Sequence, residues 1–348
     1  MKPFQKTKMK VAFNVSCLEG GSMGGWARYT SELIHHLELQ FSDQLELHLF
    51  QNKEKINHSF WEQFSLPRLC AQKGIDLLHA PANGGLCYRG KFKKVLTVHD
   101  LFSEEDFRWW DQLSPRAFKN ALRYKLDWNL SIRAADQLIT VSDYCLNALV
   151  EKGHKPAVRI YEGGLRQAAQ LGTFSLSKTQ EFSEDFFLYV GSADRRKRVS
   201  QLVEEFASLK RPIKLVLIGK GTKELAAEKK CARVEAFEAM PNEKLLEYYS
   251  HCTAFITYSE KEGFGLPLVE AMGFGKPIFY RGGGSIPEIC DQAGIFVGEG
   301  GLEGTIKNWQ NNLADRKKFS EAALQRGQFF SWRKTAEETF RLYQSVLS

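Results

Sequence analysis

Short apolar runs alternate with amphipathic stretches along the whole chain. Lys10–Val15, Leu45–Phe50, Ile75–His79, Lys94–Asp100 and Gln137–Val141 read as strands, rich in β-branched and aromatic residues. Between them, Ala27–Leu39 has helical spacing, with Tyr29, Leu33 and Leu37 on one face, and Ser114–Ala135 reads as a long helix. Ser142 is placed to cap a following helix. The periodicity lapses over residues 166–182, a polar stretch that predicts a linker. It resumes with strands at Phe186–Gly191, Lys214–Gly219, Val234–Phe237, Phe255–Tyr258 and Pro277–Tyr280, and with helices at Val199–Leu209 and Asn242–Ser250. Two helical stretches close the chain, the last over Trp332–Leu347. Strands alternating with helices predict parallel sheets, here in two similar halves.

Candidate chemistry concentrates where strands end. Residues 259–273 read as a strand end, a glycine turn and a helix start. Gly263 and Gly265 permit a tight turn, and Pro267 suits a first helical position. The amides of Gly263, Phe264, Gly265 and Leu266 then form an anion site at a helix N-terminus. Glu262 and Glu270 bracket it with carboxylates suited to hydroxyls, and the combination predicts a sugar–phosphate ligand. Arg195-Arg196-Lys197-Arg198, between a strand and a helix, reads either as a solvated turn or as a diphosphate contact. The loop ending in Gly24-Gly25 follows the first strand as in nucleotide-binding α/β units, although a purely structural turn reads equally well. His99 ends its strand, where α/β sheets collect ligands; a structural His is the competing reading.

Composition narrows this little. With 348 residues, 43% hydrophobic and 26% charged, the chain has room for two globular domains. It has no apolar run long enough to span a bilayer, and the basic start MKPFQKTKMK has no apolar core of a secretory signal. Seven scattered cysteines show no zinc spacing, which predicts reduced thiols and a cytoplasmic protein. The net charge of +7 and the basic helix carrying Arg116, Lys119, Arg123, Lys125 and Arg133 read as a solvated face, or as contact with an anionic acceptor or, peripherally, with an anionic membrane. No nucleic-acid motif accompanies the charge, so no nucleic acid is expected.

Taken in order, these segments resemble glycosyltransferase family 4. Glu262-Gly-Phe-Gly-Leu-Pro-Leu-Val-Glu270 is similar to its E-x7-E motif. Gly24-Gly25-Trp-Ala-Arg28-Tyr29, Thr97-Val-His99-Asp100-Leu101, Ile139-Thr-Val-Ser142, Tyr189-Val-Gly191 with Arg196-Lys197, and Phe330-Ser331-Trp332 resemble further family segments. The resemblance implies an α/β GT-B fold: two Rossmann-like domains with parallel sheets facing a cleft. The N-terminal acceptor domain is expected over residues 1–165, with helix 333–348 crossing back onto it, and the donor domain over 183–332. It implies a retaining, metal-independent hexosyltransferase, mannose being the expected sugar. The donor is a nucleotide-diphosphate sugar and the acceptor a glycan or lipid-linked glycan of cell-surface polysaccharide such as lipopolysaccharide. No cofactor is expected, because the chain has no Asp-x-Asp and basic residues replace a metal. By the same resemblance, Arg196 and Lys197 neutralise the diphosphate, Glu262 and His99 attend the transferred sugar, and Glu270 holds the ribose. Gly24 and Gly25 admit the phosphates or the acceptor.

The chain departs from the family at Glu162, where many relatives have Asn, at Ser192, where many have Arg, and at Gly273-Phe274. A non-catalytic sugar-nucleotide-binding or scaffold subunit is the alternative. A nicotinamide-dependent oxidoreductase is disfavoured, because the second strand ends in Phe50-Gln51-Asn52 without the acidic residue that holds a ribose.

Overall fold

A computed structural model describes residues 8–21, 24–53, 56–100, 115–164 and 185–348. The linker expected at 166–182, Leu101 of the strand-end motif, and the side chains of Arg116 and Lys119 lie outside the described residues. The chain divides into two units, Met1–Glu162 with Trp332–Ser348, and Gly163–Ser331.

The first unit runs β1 (Met9–Asn14), α1 (Gly25–Phe41), β2 (Leu45–Phe50), a helical stretch α2 over 58–73, β3 (Leu77–Ala80), β4 (Lys93–Val98), α3 (Pro115–Ala134), β5 (Gln137–Thr140), α4 (Asp143–Glu151) and β6 (Ala157–Arg159). Its six strands are parallel in the order β2-β1-β3-β4-β5-β6. β3 is buried throughout and β4 from Lys94 onward, as strands covered on both faces require. Ser142 caps α4 as expected, its hydroxyl accepting from the Cys145 amide at 3.1 Å.

The second unit runs β7 (Phe186–Val190), α5 (Val199–Ser208), β8 (Lys214–Ile218), α6 (Thr222–Lys229), β9 (Val234–Phe237), α7 (Asn242–His251), β10 (Ala254–Thr257), β11 (Lys261–Glu262), α8 (Leu266–Gly273), β12 (Ile278–Tyr280), β13 (Gly283–Gly284), α9 (Ile286–Cys290), β14 (Gly294–Phe296), α10 (Gly301–Asn311) and α11 (Leu313–Phe329). Its main sheet is also parallel, in the order β14-β12-β10-β7-β8-β9. Phe187, Phe206, Phe279 and Trp309 make an aromatic core between that sheet and its helices.

The last helix, α12 (Trp332–Leu347), belongs to the first unit. Its apolar stripe lies on α1: Phe340 stacks on Phe41 at 4.1 Å, and Trp332 meets Tyr29 edge-on. Thr335 donates to the Tyr161 carbonyl at 2.7 Å, and the Tyr343 hydroxyl reaches His79 Nδ1 at 2.5 Å. Where one helix was expected to precede α12, the chain forms two, because Asn312 breaks the run and caps α11 by accepting from the Asp315 amide. Among the described residues, no helix is long and apolar enough to cross a membrane.

Candidate active site

In the second sheet the strand order reverses between β7 and β10, the first strand and its neighbour on the other side. Open α/β sheets bind ligands outside the carboxyl ends of the strands at such a switch point. The loops leaving these two strands carry the basic run and Glu262.

After β7, Arg195–Lys197 form one 3-10 turn and Arg198 takes a left-handed conformation before α5. After β10, the chain is stitched to that turn. The Glu260 amide donates to the Arg196 carbonyl at 2.8 Å, Arg198 Nε donates to Glu260 Oε1 at 2.8 Å, and Arg196 Nη1 donates to the Lys261 carbonyl at 3.0 Å. Lys197 Nζ pairs with Glu262 Oε1, and Arg196 Nη1 lies 3.8 Å from Glu262 Oε2. Three of the expected residues thus meet in one cluster, in which two cations share one carboxylate.

A two-stranded ribbon backs Glu262. β11 pairs in parallel with β13, Glu262 opposite Gly284, and the Ser285 amide donates to the Glu262 carbonyl at 2.9 Å. Gly284 has φ +70°, and a Cβ there would lie 2.6 Å from both the Glu262 nitrogen and oxygen. Gly282-Gly283-Gly284 lie between β12 and α9, and three successive glycines are the sequence signal that another backbone passes close by.

Gly265, at φ +90°, turns the chain into α8. The first amides of a helix have no partner within it, so this end presents donors. The side chains of Phe264 and Leu266 are buried, Phe264 edge-on to Phe330 at 5.4 Å, so these two offer a ligand only their backbone. Glu270 is buried in α8 together with Leu268, Val269, Ala271 and Met272, and its Oε2 accepts from the Tyr249 hydroxyl at 2.7 Å. Tyr249, on α7, escaped sequence reasoning, since nothing in the sequence ties α7 to this carboxylate. The Glu262 carboxylate also helps keep the Tyr189 hydroxyl protonated: burial, then that negative charge, pushes its pKa up.

In the first unit, Gly24 and Gly25 open α1, Gly24 extended at φ −61°. Neither needs a left-handed backbone, so what glycine contributes there is the absence of a side chain at an exposed helix start. His99 is enclosed. Its amide donates to Asn83 Oδ1 at 2.6 Å, and Nε2 contacts the Pro81 carbonyl and Nδ1 contacts Glu162 Oε1, both at 2.8 Å. Tyr29 packs edge-on at 4.6 Å between ring centroids. Both ring nitrogens are therefore engaged within the unit, and a sugar hydroxyl must take over one of these bonds to reach the ring. Below it, a buried chain runs from Tyr29 through Thr97 to His79 and Tyr343. Burial first and His99 second push His79 down to about 3, so it stays neutral in the fold.

Comparison with known proteins decides what this arrangement belongs to. Residues 37–163 match the family described as "Glycosyltransferase Family 4", and residues 176–326 match "Glycosyl transferases group 1". The chain belongs to glycosyltransferase family 4. An O-antigen chain mannosyltransferase B from Escherichia coli is 23% identical over 282 residues, covering 72% of this chain and 70% of that protein. Among solved structures, a sucrose-phosphate synthase from Thermosynechococcus elongatus has a TM-score of 0.74 at 18% identity, over 97% of this chain and 99% of that one. HepE from Anabaena, in complex with UDP and glucose, has a TM-score of 0.68 at 17% identity, over 97% and 100%. The fold of this family 4 glycosyltransferase is accordingly GT-B, with a six-stranded parallel sheet in each domain.

Proposed function

We propose that this chain transfers a hexose, mannose, with retention of anomeric configuration. The donor is a nucleoside-diphosphate sugar and the acceptor a glycan or lipid-linked glycan of a cell-surface polysaccharide such as lipopolysaccharide. The observation that carries this reading is the cluster of Arg196, Lys197 and Glu262 at the strand-order reversal of the second sheet. The relative's name, a mannosyltransferase of O-antigen chains, supports mannose and a surface glycan. HepE, crystallised with UDP and glucose, supports a nucleotide donor.

In this reading, Lys197 and Arg196 exchange the Glu262 carboxylate for the donor diphosphate, without a metal or cofactor. The amides at the start of α8 take further phosphate oxygens. Glu262, released, accepts from sugar hydroxyls, and Glu270 accepts from the ribose. The acceptor oxygen bonds to the anomeric carbon on the face the diphosphate leaves. The electron pair of the breaking C–O bond goes to the phosphate, which also takes the acceptor proton. Lys197 and Arg196 stabilise the charge that grows there, and electrostatic stabilisation of this kind is commonly the largest catalytic contribution.

Peripheral contact with the cytoplasmic face of an anionic membrane is part of the proposal. On α3, Leu122, Leu126 and Leu130 are exposed at helical spacing, beside Arg123, Lys125 and Arg133. Ser59 donates to Asp127 of α3, bringing α2 alongside, and Phe60 and Phe64 of α2 stack in the open with Arg89 over Phe64. Apolar side chains rimmed by cations suit an anionic lipid surface.

A donor screen tests the reading. Thermal shift across GDP-, UDP-, ADP- and dTDP-sugars should single out one mannose donor by the largest stabilisation, since a ligand that binds the native state raises its stability. Turnover of that donor with retention at the anomeric carbon completes the test. Binding with no transfer to any acceptor and no hydrolysis points instead to a non-catalytic subunit. The membrane contact is abandoned if the protein fails to pellet with anionic vesicles at low salt, where screening is least.

A further inference from the structure

We infer that Glu162 is a positioning residue that holds His99 as an imidazolium. The Pro81 carbonyl can only accept, so Nε2 at 2.8 Å carries a proton. At Nδ1, Glu162 Oε1 stands 2.8 Å away. An imidazole lone pair facing a carboxylate lone pair at that distance is repulsive, so a proton lies between them. Its residence on nitrogen is favoured because a carboxylate opposite an N–H donor makes the stronger, charge-assisted bond.

The rest of the unit is arranged to hold both ends of this bond. The His99 amide is held by Asn83, and the His99 carbonyl accepts from Cys145 Sγ at 3.6 Å. Glu162 follows Tyr161, whose carbonyl is tied to Thr335 on α12. The C-terminal helix therefore fixes the strand end from which the carboxylate reaches the ring. Both side chains are buried, so water competes little for the bond. An Asn in place of Glu162 has a shorter side chain and no charge to stabilise an imidazolium. The ring's charge is thus a property this chain gains from Glu162.

The effect on turnover rests on the proposed function, with His99 beside the transferred sugar as the family resemblance implies; the charge state of the ring does not. The two are tested separately. Imidazole ¹⁵N NMR of the whole protein, with His99 assigned by its absence in His99→Gln, should show both His99 nitrogens in the protonated range at neutral pH. One unprotonated nitrogen in the wild type overturns the inference, and this measurement needs no variant at position 162 to fold. In Glu162→Gln the amide donates to Nδ1, so one nitrogen should move to the unprotonated range. With the donor identified, Glu162→Gln should lower kcat about 10- to 100-fold, the scale of a misplaced reacting group, with KM for the donor within about two-fold. An unchanged kcat in a variant whose His99 has lost its second proton overturns the positioning role. A wild type that transfers no sugar defeats the proposed function and leaves the NMR result standing.

Discussion

Each unit sets a glutamate against a basic side chain just beyond the end of a parallel strand, and the two pairs are built to opposite ends. His99 and Glu162 are sealed, with side chains only 7% and 4% exposed, and the ring's second nitrogen is also occupied. Lys197 and Glu262 are about 15% and 14% exposed, and their companion Arg196 is 40% exposed. A sealed pair cannot trade partners without leaving a charge in a low-dielectric interior, so it serves to hold a geometry. A pair open on one side, with a second cation beside it, can give up its carboxylate for an incoming diphosphate at little cost. The same two kinds of charge act as a fixed support in one place and as an exchangeable contact in the other.

The sharpest way to break this contrast is to truncate one carboxylate of each pair. Glu162→Ala leaves the His99 ring buried without its counterion, and losing one partner of a buried pair costs about 3–5 kcal/mol. Hydrogen exchange at the β4 amides should read that loss in the first unit, with the second sheet unaffected. Glu262→Ala should cost far less stability, about 1 kcal/mol or below, because half-open pairs contribute little. Equal losses from both truncations would mean that sealing does not separate the pairs.

Turnover should sort the other way. Lys197→Ala removes a cation from the point where charge grows on the leaving phosphate, and a drop of about 10²-fold or more in kcat is expected, with the melting temperature nearly unchanged. The same drop is expected for Glu262→Ala. Full activity in both variants would remove these residues from the reaction.

How much of this was visible in the sequence follows from how local each feature is. The strand ends and the helix start at Gly265 were legible, because glycines, proline and apolar runs act within a few residues of themselves. Arg196, Lys197 and Glu262 were placed in one site only by the family resemblance; their contact follows from the switch point of the sheet, which brings together loops distant in sequence. What escaped were partners that only packing supplies. Tyr249 reaches Glu270 from the neighbouring helix, and the glycine run at 282–284 supports Glu262 across a two-residue ribbon. Glu162 stood out as a departure at the end of the first unit, but its contact with His99 spans 63 positions, and no local pattern encodes it. The enclosure of His99 was equally invisible, since a strand-end histidine reads alike whether its ring is open or caged.

The ribbon offers a finer test, because two adjacent glycines differ in what they permit. Gly284→Ala places a Cβ against the Glu262 backbone at φ +70°, and should cost about 1–3 kcal/mol in strain while shifting the carboxylate. Its kcat should fall about ten-fold through misplacement of Glu262. At Gly283 the nearest atom to an added Cβ is the Glu260 carbonyl oxygen, at 3.5 Å, an ordinary contact. Gly283→Ala should therefore stay within about 0.5 kcal/mol of the parent. Similar behaviour of the two variants would mean that β13 does not support the open pair.

The smallest expected effect separates the two glutamates of the second unit. Tyr249→Phe removes one hydrogen bond from Glu270 and leaves Lys197, Arg196 and Glu262 untouched. A single bond of this kind is worth about 0.5–1.5 kcal/mol net, or two- to ten-fold in Kd for the nucleoside diphosphate. Isothermal titration with the nucleotide alone should show that weakening, while kcat at saturating donor stays at the parent value, because Glu270 holds the ribose and not the reacting carbon. Loss of kcat with an unchanged Kd would place Glu270 with Glu262 at the chemistry, and the second unit would then contain a sealed carboxylate that acts directly on the transferred sugar.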